Sequence, residues 1–556
     1  MLSILIWLPG AAALLAALLP GPRHGVRGRA WAGRLVALGS LGALGLAIAL
    51  IADYGGGGGL THVTDIVWIR ALGIHYKLGV DGLNLFLVGL AALLFAISII
   101  AANLRAWEKP HLFYFHLGIA ESAVLGALLA QDLALFVAFF DLMLIPFYFL
   151  VGVWGSGDRV RATTKLVIYT LVGSLLMLAA AIATAVLSAQ GAHHALTFVL
   201  SDLRQAPVPA GSADWIFLFF AAAFLVKMPA FPLHGWMPDG YRAMPIEALM
   251  VFSGVLSKVG AYGFLRIVLP LFPGASAHFQ TLLLLIALAS ILYGSAMAFT
   301  QTNARLIAGY SSVAQLGFIT LGIFSLTPQG AQGAVLQMVN HGLVVAPLFF
   351  IIALLADRAG GSEDIREMGG IAMRAPILAT TFLIVAMAAL AIPGSGNFVG
   401  EFMILLGVFN TKVVISIVAF AGVVTAAVYM LRVFIRSVHN RTGPHVESRE
   451  LRPVDGLVLA PFVAALILFA LYPQLELHRA ETSVVGSIAA AQAIAAPATV
   501  AGSGGIYALP RTPTAGGWTS YAPLPAAARV PGLPAASTRT VPVHTRGNTI
   551  SVTIVR

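Results

Sequence analysis

Lys227 and Lys258 lie inside stretches that are otherwise apolar, FLVKMPAFP and VFSGVLSKVGAYG, and neither is placed to reach water from a helix end. An ammonium at mid-bilayer depth costs at least about 2.5 kcal/mol, so two of them point to a pathway for charge. Glu401 in NFVGEFMILL and Asp141 in VAFFDLMLIP put carboxyl groups in the same kind of setting. Lys227 is the natural cation to hold Asp141 ionised there. His341 in QMVNHGLVV adds an imidazole that either hydrogen-bonds a neighbour or relays a proton. Amine, carboxyl and imidazole share one chemistry, the gain and loss of a proton. Three further groups are auxiliary candidates. His234 follows Lys227 closely, Glu121 in HLGIAESAVLG is about half a span deep, and Lys165 in RATTKLVIYT is near enough to its helix end to snorkel.

The elements that carry these groups must be interrupted helices. Pro229 and Pro232 remove amide donors just after Lys227, and the run Pro393-Gly394-Ser395-Gly396 precedes Glu401 by about two turns. Irregular backbone at that depth is tolerated only where protein buries it or a wet cavity meets it. Transporters build central sites from such broken helices.

Composition sets the class. The chain has 556 residues, 59% of them hydrophobic and 10% charged, with mean hydropathy +0.92. Apolar windows near 20 residues recur, and about 14 spans are expected in an all-α polytopic membrane fold. The net charge of +10 reflects arginines clustered in short loops, which is topology signal and not a nucleic-acid patch. Those loops alternate with loops poor in Lys and Arg, so both termini are expected outside the cytoplasm, in a multi-pass protein of the cell inner membrane. The opening MLSILIWLPGAAALLAALLP lacks a basic leader and reads as a first spanning helix. With no cysteine, the chain offers no thiolate metal or iron-sulfur ligands. Metal-binding and cofactor-binding residues are expected to be absent, and electrons to travel in a partner.

The expected organisation is residues 1–111 (helices 1–3), 112–270 (helices 4–8), 271–437 (helices 9–13), 438–484 (helix 14) and a disordered Pro/Ala/Thr-rich tail over 485–556. If the two five-helix sets correspond, their odd number makes them inverted repeats, with helices 7 and 12 broken. The glycine run Gly55 to Gly59 is no dinucleotide fingerprint, since no βαβ pattern follows it.

The segments VKMPAFPLHGWMPD, GVLSKVGAYGFLR, LIAGYSSVAQLGF, LQMVNHG and PGSGNFVGEF, in this order, resemble the antiporter-like membrane subunits of respiratory complex I, the proton-translocating NADH-quinone oxidoreductase. The glutamate in GNFVGEF resembles the M type, since the sister L and N types usually carry lysine there. The resemblance implies a translocase subunit with no redox centre of its own. NADH, FMN, iron-sulfur clusters and quinone then belong to partner subunits, and chains L and N are the neighbours in the bilayer. It also implies that Lys227 is a switching lysine, Lys258 a central relay, Glu401 the last group towards the outside, and the fifth-helix carboxylate a modulator of Lys227. Three positions depart from the family pattern: Asp141 replaces the usual glutamate, Gln315 a frequent histidine, and Tyr241-Arg242 a frequent His-Thr. Gln315 is thus a further auxiliary candidate, past which relay must run through water. Two alternatives remain: a subunit of a multisubunit cation/proton antiporter or of a membrane-bound hydrogenase. A purely structural scaffold gives no reason for Lys227, Lys258 and Glu401.

Overall fold

In a bilayer every backbone polar group must find a partner within the protein, which the helix achieves locally. The computed structural model is accordingly built almost wholly of helices. It describes residues 1–18, 26–192, 195–447, 449–496, 538–545 and 548–555. In chain order the elements are α1 (Leu2–Leu18), α2 (Val26–Asp53), β1 (Thr61–Ile69), β2 (Ile74–Val80), α3 (Leu85–Ala102), α4 (Pro110–Leu129), α5 (Leu133–Leu142), α6 (Leu144–Trp154) and α7 (Arg159–Ala192). Next come α8 (Leu200–Gln205), α9 (Ala210–Lys227), α10 (Met237–Ala243), α11 (Ile246–Leu271), α12 (Pro273–His278), α13 (Gln280–Thr300), α14 (Ala304–Phe324) and α15 (Pro328–Arg358). The remainder of this unit is α16 (Pro376–Ala389), α17 (Gly396–Phe409), α18 (Val413–His439), α19 (Pro453–Leu471) and α20 (Gln474–Ala495). Among the described residues, 12 helical runs are long and apolar enough to cross a membrane, and α1, α16 and α17 are shorter apolar helices.

The three most enclosed runs are α11, α14 and α15, whose most apolar windows are 100%, 100% and 94% buried. Helices apolar on all sides belong in a protein interior. These three carry Lys258, Gln315 and His341, while α2, α18 and α19 present most of their surface outward.

The two ends of the bundle differ. At one end β1 and β2 pair as an antiparallel hairpin, and Leu78 bridges to Ala130 and Asp132 to Val199. The other end gathers the arginine-bearing loops: Asn303 bridges to Asp364, Arg305 pairs with Glu363, and Ser156 N–H donates to the Ala243 carbonyl. The hairpin fills the glycine-containing connection, where no strands were expected.

The expected tail begins later than residue 485. α20 continues to Ala495 because Glu476, Ala480, Val484, Ser487, Ile488 and Ala491 form one buried stripe at helical spacing. It packs on α11, α12 and α15 at the hairpin end, where Gly82 N–H donates to Ser483 Oγ at 3.1 Å. Residues 497–537 of the expected tail lie outside the described residues. The separate unit Ala498–Arg556 contains an antiparallel pair, β3 (Thr538–Thr545) and β4 (Asn548–Val555).

Candidate functional site: a buried line of proton-exchanging groups

The first break is accounted for bond by bond. Met228 N–H makes the last regular bond of α9, to the Phe224 carbonyl, and Pro229 then has no donor. Ala230 N–H takes the Leu225 carbonyl at 3.0 Å, and Trp236 Nε1 donates to the Val226 carbonyl at 3.1 Å. Phe231 N–H donates to Ser290 Oγ at 3.0 Å. α9 therefore ends on Lys227, which is buried at 6% exposure. Its Nζ lies 4.7 Å above the centre of the Phe140 ring. Among the described residues that ammonium makes no hydrogen bond or ion pair.

Asp141 is the next residue after Phe140, yet the expected pair with Lys227 is not formed. Asp141 lies close enough for its charge to act on Lys227, but Ser174 on α7 stands beside the carboxyl and its Oδ1 has no partner. An aspartate is one methylene shorter than the glutamate of the family pattern, and the Lys227 ammonium sits over the Phe140 ring instead. His234 stacks among Phe231, Tyr293 and Tyr310, with its Nδ1 unpartnered.

At the second break Ala391 turns through φ 52° and Gly394 through φ 97°. Ser395 then caps α17 by accepting from Phe398 N–H at 3.3 Å. Glu401, 4% exposed, accepts from Gln315 Nε2 at 2.7 Å, and Gln315 Oε1 accepts from Gln337 Nε2 at 2.7 Å. Gly400 makes this approach possible, because a side chain there would overlap the Gln337 side chain.

Between the breaks lies Lys258, fully buried on α11. Its Nζ donates to the Ser253 carbonyl at 2.6 Å, within a π turn over Phe252–Leu256. Such widened turns recur at functional sites. α15 crosses α11 closely here: a Cβ on Gly342 would stand 2.6 Å from the Gly254 carbonyl oxygen. This crossing brings His341 near enough to Lys258 for their charges to interact. Ser253 Oγ donates to Ser312 Oγ at 3.4 Å.

Ser311, Ser312, Gln315, His341 and Asn397 line a cavity of about 10 Å³, enough for one water molecule. His341 Nδ1 and Asn397 Oδ1 are buried without protein partners, the condition under which a bridging water is expected. Lys258, Ser253, Ser312, the cavity, Gln315 and Glu401 thus form one polar line through α11, α14 and α17.

Not every candidate joins it. Glu121 accepts from Ser40 on α2, and Lys165 pairs with Asp239 among partly exposed groups. The hydrogen bonds also leave Lys227 unconnected to Lys258; Phe224 and Met228 crowd the α9–α11 crossing at Gly260. Conversely, Ser253, Ser312, Gln337 and Asn397 are neutral and were not singled out from the sequence. Their signal is the small polar residues of VFSGV, SSVAQ, LQMVNHG and GSGNF within apolar helices.

Comparison with known proteins agrees with this architecture. A family described as NADH:quinone oxidoreductase/Mrp antiporter, transmembrane, matches residues 130–428. NADH-quinone oxidoreductase subunit M of Escherichia coli (strain K12) is 37% identical over 432 residues, covering 76% of this chain and 84% of the relative. A chain in the structure of respiratory complex I from Thermus thermophilus with bound NADH superimposes with TM-score 0.79 at 31% identity, covering 88% of this chain and 100% of that one. The Mrp complex from Dietzia sp. DQ12-45-1b gives TM-score 0.71 at 20% identity over 89% of this chain and 51% of its own, a likeness of fold alone.

Proposed function

The chain belongs to the NADH:quinone oxidoreductase/Mrp antiporter family of membrane proteins, and on that premise we propose that it is a membrane-arm subunit of NADH-quinone oxidoreductase that moves protons through its interior, driven by electron transfer in partner subunits. The observation that carries the reading is the polar line from Lys258 to Glu401, with room for one water where Gln315 cannot itself take up a proton.

By the positive-inside rule the arginine-rich end faces the cytoplasm and the hairpin end faces out, and the same rule assigns both termini to the outer side. A proton taken up from the cytoplasm reaches Lys227, then Lys258, His341 and the cavity, and leaves by Glu401. The unconnected interval between Lys227 and Lys258 acts as the gate. Asp141 is placed to work it, since a carboxylate moving towards Lys227 tightens its hold on a proton and one moving away loosens it. Moving one charge against 100 mV requires about 2.3 kcal/mol. That energy comes from redox chemistry in partners that hold NADH, FMN, iron-sulfur clusters and quinone, and it is transmitted through neighbouring chains of the L and N kind. A role in a cation/proton antiporter is the second reading, and it is supported by a likeness of fold alone.

The test is Lys227→Ala in the assembled complex in vesicles. Loss of proton pumping is expected. Normal pumping with normal electron transfer would remove Lys227 from the pathway.

A further inference from the structure

The line from Lys258 to Glu401 accounts for one side of Lys258, but further polar side chains follow Lys258 along α11 towards the hairpin end. Lys258, Tyr262 and Arg266 follow at four-residue steps on α11, and Arg266 Nε donates to the Tyr262 hydroxyl at 2.9 Å, so Tyr262 and Arg266 share a face. Arg266 is 4% exposed and sits in a second π turn, Phe264–Val268. Its Nη2 donates to Asp81 Oδ1 at 2.6 Å, and the same oxygen accepts from the Leu83 amide in the turn that leads into α3. The exposed Arg204 on α8 donates to the Arg266 carbonyl at 3.4 Å. Two guanidinium charges and one carboxylate thus stand between Lys258 and the extracytoplasmic side.

The other outward end is different in kind. Beyond Glu401 on α17, Gly407 packs on Thr327, which shares a hydrogen bond of 2.9 Å with Ser325. Gln280 Nε2 donates to the Phe324 carbonyl at 3.0 Å. These groups are neutral, and none of these bonds involves a charge.

An arginine keeps its proton and has no acceptor to receive another, so a proton chain running from Lys258 through Tyr262 stops at Arg266. Fixed positive charge in a narrow polar passage also repels protons and other cations. We propose that the Arg266–Asp81 pair, backed by Arg204, is an electrostatic plug that seals Lys258 from the extracytoplasmic side, so that protons leave only through His341 and Glu401. Asp81 keeps the guanidinium in place and makes its burial tolerable; Arg266 supplies the barrier. The plug rests on the pathway reading above and adds to it the reason why outward movement has a single exit.

A buried pair could also do no more than tie α3 to α11, so the test reads a property that a structural clamp would not change. Passive proton leak is measured with a pH-sensitive dye in vesicles holding the whole complex, under an imposed pH gradient and without NADH. Arg266→Gln with Asp81→Asn, and separately Arg266→Ser with Asp81→Ser, should raise the leak about tenfold or more, a barrier lowered by about 1.4 kcal/mol. Adding Lys258→Met to either leaky pair should close it again. Parental tightness in the neutral pairs, or a leak that survives Lys258→Met, would overturn the plug. Loss of assembly in both neutral pairs would assign the residues to structure and overturn it as well. The pathway reading fails separately, if pumping survives Lys227→Ala, whereas the plug is judged with no turnover at all.

Discussion

Two helices of this protein are broken around an ionisable side chain, and the two surroundings are opposite in character. Lys227 is the last residue before its break and rests on the Phe140 ring, while the nearby Asp141 carboxyl has Ser174 beside it and forms no ion pair with Lys227. Glu401 comes after its break, two turns into α17, and is wired through Gln315 to Gln337 and to a water-sized cavity. Aromatic surroundings give a proton nowhere to go until something moves. Amide and hydroxyl surroundings offer continuous donors and acceptors. The comparison teaches that similar interruptions can serve unlike purposes, one holding a proton and the other passing it on.

That contrast can be broken or sharpened by substitution. Glu401→Ala removes the end of the wired segment and should lower coupled proton pumping about 100-fold or more, on the scale of losing a positioned proton-transfer group. Pumping would be followed by acidification outside right-side-out vesicles. Gln315→Leu keeps the carboxyl but deletes the one hydrogen bond that joins it to the line among the described residues, and a loss of about 10-fold is expected, equivalent to a bond to a charged group of about 1.5 kcal/mol. Gln315→His, by contrast, should retain pumping, since an imidazole can donate and accept there. Asp141→Glu lengthens the side chain towards Lys227, and if the dry half is a switch, turnover should change about threefold as a direct pair becomes available. No change in either turnover or pumping would detach Asp141 from the gate. A separate effect is expected on stability: Gly342→Ala, which sets a methyl against the Gly254 carbonyl, should destabilise the α11–α15 crossing by about 1–3 kcal/mol, read as a lower melting temperature of the purified complex.

How much of this was visible in the sequence follows from charge. Lys227, Lys258 and Glu401 could be picked out because an ionised group within an apolar run is costly and therefore conspicuous. Both breaks were legible in their prolines and glycines. Ser253, Ser312 and Asn397 were not, because a neutral hydroxyl or amide hardly disturbs an apolar helix and gains meaning only when three helices converge. Arg266 reads in sequence as one more basic residue near a helix end, and only its meeting with Asp81, far away in the chain, reveals a buried pair. Asp141 marks a metric limit, since sequence supplies the charge and the missing methylene but not the geometry that leaves the side chain without an ion pair to Lys227. α20 was hidden because an alanine-rich amphipathic helix with a weak apolar face resembles the low-complexity residues that follow it.

The central claim is that protons cross between His341 and Gln315 through the cavity beside Ser312. The most direct test measures protons moved per electron in vesicles carrying the assembled Ser312→Val complex, in which a methyl replaces the hydroxyl that lines the cavity and bonds Ser253. Reduced proton movement is predicted while NADH oxidation by an artificial acceptor stays normal. An unchanged ratio with full quinone reductase activity would contradict the account.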